Sequence, residues 1–131
     1  MATYDELAGR LVLITGGANG IGQAMVEAFH ALGAVVCFCD LDDRAGVRLA
    51  KRLGDRAEFA KVNLCREAGI KRWVAHLAKR HGEIHVLINN AARDPRIALE
   101  DVTAKVWDDL IAGNIRAYFL ACREASPHLA K

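Results

Sequence analysis

Apolar and polar positions fall into blocks along the chain, and the blocks carry two periods. Leu11-Val12-Leu13-Ile14 is a continuous apolar run. A short run without polar interruption predicts a strand covered on both faces. From Gly20 to Leu32 the apolar residues Ile21, Met25, Ala28, Phe29 and Leu32 recur at helical spacing, which predicts an amphipathic helix. Gly33 follows, a residue favoured just past a helix C-terminus. Ala34 to Cys39 reads as a second buried strand, stopping at Asp40. Residues 43–53 read as a short helix with Val47, Ala50 and Leu53 turned inward, ended by Gly54-Asp55. Glu58 to Val62 is a weaker third strand, closed by Asn63-Leu64. Over 66–81, Ile70, Trp73, Val74 and Leu77 fall at i, i+3, i+4 and i+7, a clear helix face. Ile84 to Ile88 is the fourth strand and runs into Asn89-Asn90-Ala91-Ala92. A polar loop with Asp94, Pro95 and Arg96 then leads to a long helix over 103–126, stopped by Pro127. Its apolar residues, among them Val106, Trp107, Ile115, Phe119 and Cys122, spread wider than one stripe, so it should pack on more than one partner.

The order is βαβαβαβα. Strands alternating with helices imply an α/β fold: a parallel, doubly wound sheet with right-handed crossovers and helices on both faces. No repeat or linker divides the 131 residues, which is one domain's length. Acids and bases are interspersed and net charge is +2, so nothing favours a nucleic-acid or membrane-surface partner. The basic face of the third helix, with Lys71, Arg72, Lys79 and Arg80, reads as solvated. No apolar run approaches the ~18 residues of a membrane span. The stretch Met1 to Arg10 is acidic and lacks the apolar core of a secretory signal. Cys37, Cys39, Cys65 and Cys122 match no metal-binding spacing, so no metal is expected. Free thiols in a reducing compartment fit them better, and the chain reads as cytoplasmic.

The chemistry begins where the first strand ends. Gly16, Gly20 and Gly22 stand as Gly-x-x-x-Gly-x-Gly between a strand and a helix. A glycine turn of this kind lets the backbone approach a ligand, and the helix aims unpaired N–H groups and its dipole at an anion. Asn19 and Ile21 share the turn. Asp40 ends the second strand, 18 residues past Gly22. A carboxylate there accepts hydrogen bonds from ribose hydroxyls and repels a 2′-phosphate, which favours NAD over NADP. Arg44 lies close enough in sequence to soften that preference.

With these residues in place the chain resembles the short-chain dehydrogenase/reductase family. Thr15-Gly16-Gly17-Ala18-Asn19-Gly20-Ile21-Gly22 matches the family's cofactor motif. Asn89-Asn90-Ala91-Ala92 matches its Asn-Asn-Ala-Gly motif, with Ala92 replacing Gly. Asn63-Leu64 stands where the family has an Asp and an apolar residue beside the adenine, and Asn114 where it has the Asn of its Asn-Ser-Tyr-Lys tetrad. The resemblance implies a Rossmann-type sheet of order 3-2-1-4. It implies pyrophosphate at Gly16, Asn19, Gly20, Ile21 and Gly22, ribose at Asp40-Leu41 and adenine at Asn63-Leu64. Asn89, Ala91 and Ala92 would line the path to the nicotinamide, with Asn89 also bracing the fourth strand. Asn114 is the one catalytic residue implied; a helix Asn paired to a neighbouring backbone group is the alternative. The loop with Asp94 and Arg96, and Trp107-Asp108-Asp109, is similar to family members that oxidise sugars or polyols.

In the family the catalytic Ser and Tyr-x-x-x-Lys come later than the segment matched here. The only tyrosines, Tyr4 and Tyr118, are followed at the fourth position by Ala8 and Cys122. His81, His85 and His128 have no motif that makes them substitutes. The expectation is therefore one NAD-binding domain, incomplete at its C-terminus, from an enzyme moving hydride between NAD and a secondary alcohol. A non-catalytic nucleotide-binding or structural half-domain is the alternative. A fourth strand without its usual neighbour is an apolar edge. Self-association through the 84–88 edge and the 103–126 helix is expected. A small hydroxylated substrate would meet only a complete enzyme.

Overall fold

The computed structural model describes residues 4–130. The first three residues of the Met1–Arg10 stretch, and Lys131, lie outside the described residues. Four parallel strands form one sheet in the order β3-β2-β1-β4: β1 Leu11–Thr15, β2 Val35–Asp40, β3 Ala57–Lys61 and β4 Val86–Ile88. The helices are α1 Gly20–Ala31, α2 Asp43–Leu53, α3 Glu67–His81, α4 Ala104–Ile111 and α5 Ala117–Ala125.

Strand side chains alternate between faces, and this splits the apolar runs into two cores. Val12, Ile14, Val36 and Phe38 face Val26 of α1 and Leu49 of α2. Leu11, Leu13, Cys37 and Cys39 face Ile70, Val74 and Leu77 of α3 and Leu120 and Ala121 of α5. The doubly wound arrangement follows directly. His85, which had no role in the sequence, holds the sheet: its Nδ1 accepts the Leu11 N–H at 3.0 Å, and its own N–H donates to the Leu11 carbonyl at 2.9 Å. Burial pushes the Cys37 and Cys39 thiols up to about 12. All four cysteines are free.

Four expectations need correction. Residues 103–126 are not one α-helix. Thr103 caps α4 by accepting the Val106 N–H at 3.2 Å, and a π-helical segment, Ala112–Arg116, separates α4 from α5. Such a segment widens the helix by one residue per turn. Here it carries Asn114, whose amide is bonded to the backbone of Arg93. Second, the fourth strand is shorter than 84–88. Ile84 instead forms a parallel bridge with Leu129, so the open edge is confined to Val86–Ile88. Third, Ile21 does not join the core face of α1. It is 77% exposed, Ala28 is also exposed, and Gly22 and Val26 are buried in their place. Fourth, Val47 is 53% exposed, whereas Ala45, Gly46 and Leu49 are buried. Gly46 explains the rotation of α2: a Cβ there would lie 2.1 Å from the Phe59 ring, so the missing side chain lets α2 settle on β3 along that line.

This rotation predicts a contrast between two neighbouring positions. Leu49→Ala should lower stability by about 2–5 kcal/mol, as a buried leucine does. Val47→Ala should change it by no more than about 0.5 kcal/mol. Urea denaturation of the two variants checks this, and equal losses would contradict the rotation.

Candidate functional site

A cleft of about 410 Å3 opens at one end of the sheet. Its walls come from the segments that follow all four strands. Gly16, Asn19, Ile21 and Gly22 follow β1, and Asp40-Leu41 closes β2. Val62, Asn63, Leu64 and Cys65 follow β3, and Asn90, Ala91, Ala92 and Arg93 follow β4. Gly113 of the π-helical segment completes the rim. Parallel order puts every strand's C-terminal end on the same side. The crevice lies between β1 and β4, where the connections following the two strands pass to opposite faces of the sheet, a preferred ligand position in open α/β sheets.

The glycine turn is tight for a steric reason. A Cβ on Gly22 would lie 1.8 Å from the Gly16 carbonyl oxygen, and one on Gly16 would lie 2.8 Å from the Ala91 Cα. The backbones of β1's exit, α1's first turn and β4's exit thus touch without side chains between them. Asn19 is the N-cap of α1, yet its side chain makes no cap bond. It donates to Asp42 Oδ2 at 2.9 Å instead, and Asp42 Oδ1 caps α2 by accepting the Ala45 N–H at 3.0 Å. The Ala45 amide, then the Asn19 side chain, hold the Asp42 carboxyl below the usual carboxylate range. The first turn of α1 therefore keeps its positive end uncapped by any side chain.

Asp40 is fixed by the same turn. Its Oδ2 accepts the Ala18 N–H at 3.1 Å and its Oδ1 the Asp42 N–H at 3.0 Å. Each oxygen retains a second acceptor position. Asn63 Oδ1 accepts the Cys65 N–H at 3.0 Å, which leaves its NH2 and a second acceptor position on Oδ1 to offer. Leu41 and Ile21 are apolar and exposed on the cleft.

Ten of the residues singled out in the sequence line the cleft together: Gly16, Asn19, Ile21, Gly22, Asp40, Leu41, Asn63, Leu64, Ala91 and Ala92. Three of the implied cofactor and catalytic residues do not line it. Gly20, at φ +57°, makes the turn into α1. Asn89 lies behind the wall and donates to Cys122 Sγ at 3.3 Å, with its Oδ1 buried and unpaired among the described residues. Asn114 spends its side chain on Arg93: its Oδ1 accepts the Arg93 N–H and its Nδ2 donates to the Arg93 carbonyl, both at 2.7 Å. Asp94 and Arg96 are exposed and off the cleft wall. The residue missed most clearly is Asn90. Its Nδ2 donates to the carbonyls of Thr15 and Gly16 at 3.2 and 3.1 Å. The doubled Asn at 89–90 was the available signal.

Known proteins share this arrangement. The family model described as short chain dehydrogenase matches residues 10–131. The chain is 36% identical to the probable galactose dehydrogenase of Rhizobium meliloti, over 98% of this chain and 52% of that protein. It is 33% identical to the L-fucose dehydrogenase of Oryctolagus cuniculus, over 100% of this chain and 46% of that protein. A solved NADH-dependent reductase complexed with NAD superposes with a TM-score of 0.85 at 30% identity, over 95% of this chain and 54% of that one. The chain spans about half the length of the curated relatives it matches.

Proposed function

The chain belongs to the short-chain dehydrogenase family, and from that premise we propose that its cleft holds NAD for hydride exchange with a secondary alcohol of a sugar. The observation that carries the proposal is the cleft wall itself. An uncapped helix start, a turn with no room for side chains and a carboxylate with free acceptor positions meet in one cleft. These suit the three polar parts of a dinucleotide: backbone amides for the pyrophosphate, the carboxylate for the ribose diol, and small side chains where backbone must come close. Gly16, Asn19, Gly20, Ile21 and Gly22 take the pyrophosphate. Asp40 and Leu41 take the ribose, Asn63 and Leu64 the adenine. Ala91 and Ala92 flank the nicotinamide end, and Asn89 supports them from behind. When bound, NAD supplies the hydride acceptor.

Asp40 makes NAD the preferred cofactor. A 2′-phosphate would place like charge against the carboxylate, and the groups that bond it, Ala18 and Asp42, offer backbone N–H groups and no cation. Asn114 keeps the family's catalytic role through its backbone, since its side chain is committed to Arg93. A sugar as substrate rests on relatives such as the galactose and L-fucose dehydrogenases. The chain also associates with a second copy through the free edge of β4 and the outer face of α4 and α5. Trp107, Ile115 and Phe119 stand about 60% exposed on those helices and their junction, apolar surface available to a partner. Free thiols and the absence, among the described residues, of a helix long and apolar enough to cross a membrane accord with a cytoplasmic protein.

Calorimetric titration tests the cofactor. NAD should bind more tightly than NADP, and Asp40→Asn should weaken NAD about 10- to 100-fold, the worth of hydrogen bonds to a charged group. Equal affinity for NAD and NADP in the unaltered chain would overturn the preference. For the substrate class, NADH formation by the full-length protein should be faster with galactose or fucose than with linear secondary alcohols; turnover of the alcohols alone would refute a sugar substrate. Light scattering over a concentration series should show a dimer or larger species. A monomer at every concentration would remove the association surface.

A further inference from the structure

A second set of ligand-type side chains lies away from the cleft, on the α3 face of the sheet. Cys37 and Glu58 are register partners on β2 and β3, so their side chains leave the sheet side by side. His81 ends α3 above them. Its Nε2 lies 3.7 Å from Cys37 Sγ and 3.2 Å from Glu58 Oε2. The three donor atoms all lie within 4.8 Å of one another. Cys37 is fully buried, while His81 and Glu58 are partly open to solvent.

One neutral His81 Nε2 cannot both donate to Glu58 and accept from the Cys37 thiol. A neutral Nε2 carries either a proton or a lone pair. With the proton it donates to Glu58 and leaves the buried thiol hydrogen without an acceptor at that atom. With the lone pair it accepts from the thiol and opposes the carboxylate. A cation among the three atoms satisfies all of them. Zn2+ binds thiolate at about 2.3 Å and imidazole or carboxylate at about 2.0–2.1 Å, so a tetrahedral site sets sulfur and nitrogen about 3.5 Å apart and nitrogen and oxygen about 3.3 Å apart. The observed 3.7 and 3.2 Å are close to both. The surroundings also resemble a metal's outer shell. His76 Nε2 meets Glu58 Oε1 at 3.0 Å and orients the carboxylate. Arg80 Nε lies 3.3 Å from Oε2, on a largely exposed side chain free to swing away.

We propose that Cys37, Glu58 and His81 form a Zn2+ site, with water in the fourth position. One metal–sulfur bond forms as the thiol S–H bond breaks, the proton passes to solvent, and nothing is oxidised or reduced. Thiolate and carboxylate together balance the charge of the ion. The metal ties β2, β3 and the end of α3 to one another. Positions 37, 58 and 81 share no short spacing, so only the sheet register and the helix end bring them together.

The tag-free chain, stripped with a chelator, is titrated with Co2+ as an optical probe and then with Zn2+. One Co2+ per chain should bind and give a thiolate-to-cobalt charge-transfer band that Zn2+ abolishes. Zn2+ should also raise the thermal midpoint, as a ligand of the folded state does. Cys37→Ser should remove the band, and Cys122→Ser should leave it. His81→Asn should weaken Zn2+ at least about tenfold. Arg80→Gln should tighten it about two- to fivefold, because an exposed competing cation is gone. Should circular dichroism show Cys37→Ser unfolded, His81→Asn at the open side of the cluster decides. Absence of the band in the unaltered chain, or a band indifferent to His81→Asn, would overturn the site.

Discussion

The hydroxyl of Thr15 joins the two halves of this sheet, and the cleft depends on it. Thr15 is the one buried polar residue among the described residues. Its Oγ1 accepts the N–H groups of Asn90 and Ala91 at 3.0 and 3.1 Å. The Asn90 side chain returns two bonds to the carbonyls of Thr15 and Gly16. Four hydrogen bonds therefore close the ends of β1 and β4 on each other. Each amide left unpaired there would cost about 1–3 kcal/mol, so the strand ends have little freedom to part. Gly16 is held in turn by Ala91 on one side and by the first turn of α1 on the other. The glycine turn is shaped by this lock at its base as much as by its own glycines.

The sequence was most legible where one short segment decides the outcome. Apolar runs that are buried on both faces became β1 and β2, and glycines at 33, 54 and 82 stand just past α1, α2 and α3 at positive φ. Asp40 at the end of β2 was visible for the same reason. The errors share a different cause: each turns on a contact distant in the chain. The π-helical break follows a pairing of Asn114 with Arg93, 21 residues away. Val47 faces out because Gly46 receives Phe59 from another element. Asn63 lines the cleft, and its Oδ1 turns back to accept the Cys65 N–H, two residues on. That local turn was not apparent from residue type alone.

The exposed apolar residues make the same point at the surface. Periodicity marked the 103–126 segment as apolar on more than one side, and it is. Ala117, Leu120 and Ala121 pack on the sheet's second core, while Trp107, Ile115 and Phe119 remain outside. A period cannot say which of two apolar faces meets the chain's own core. Inward, Ala117, Ala121 and Ala125 together with Leu120 let α5 lie close to α3, and Trp107, Ile115 and Phe119 are left outward.

β2 is where the two parts of the molecule meet. Asp40 at its end serves the cleft, Cys37 at its middle faces Glu58 and His81, and Cys39 stands between them. The Cys39 carbonyl accepts the N–H groups of Gly16 and Gly17 at 2.8 and 3.1 Å, so β2's backbone also anchors the glycine turn. Cys37 and Cys39 share a face and the same burial, yet only Cys37 has ligand-type neighbours. The difference comes from β3. Glu58 opposes Cys37 across the ladder, and Ala60 opposes Cys39. Glu58 is a costly residue to place there, because burial pushes its carboxyl up. Hydrogen bonds from His76 and His81, with the charge of Arg80, more than offset that and hold it below its usual value. Three cation-forming side chains on the last turns of α3 thus converge on one carboxylate. The basic face read in the sequence, Lys71, Arg72, Lys79 and Arg80, is exposed, and Arg80 meets Glu58 from the solvent side.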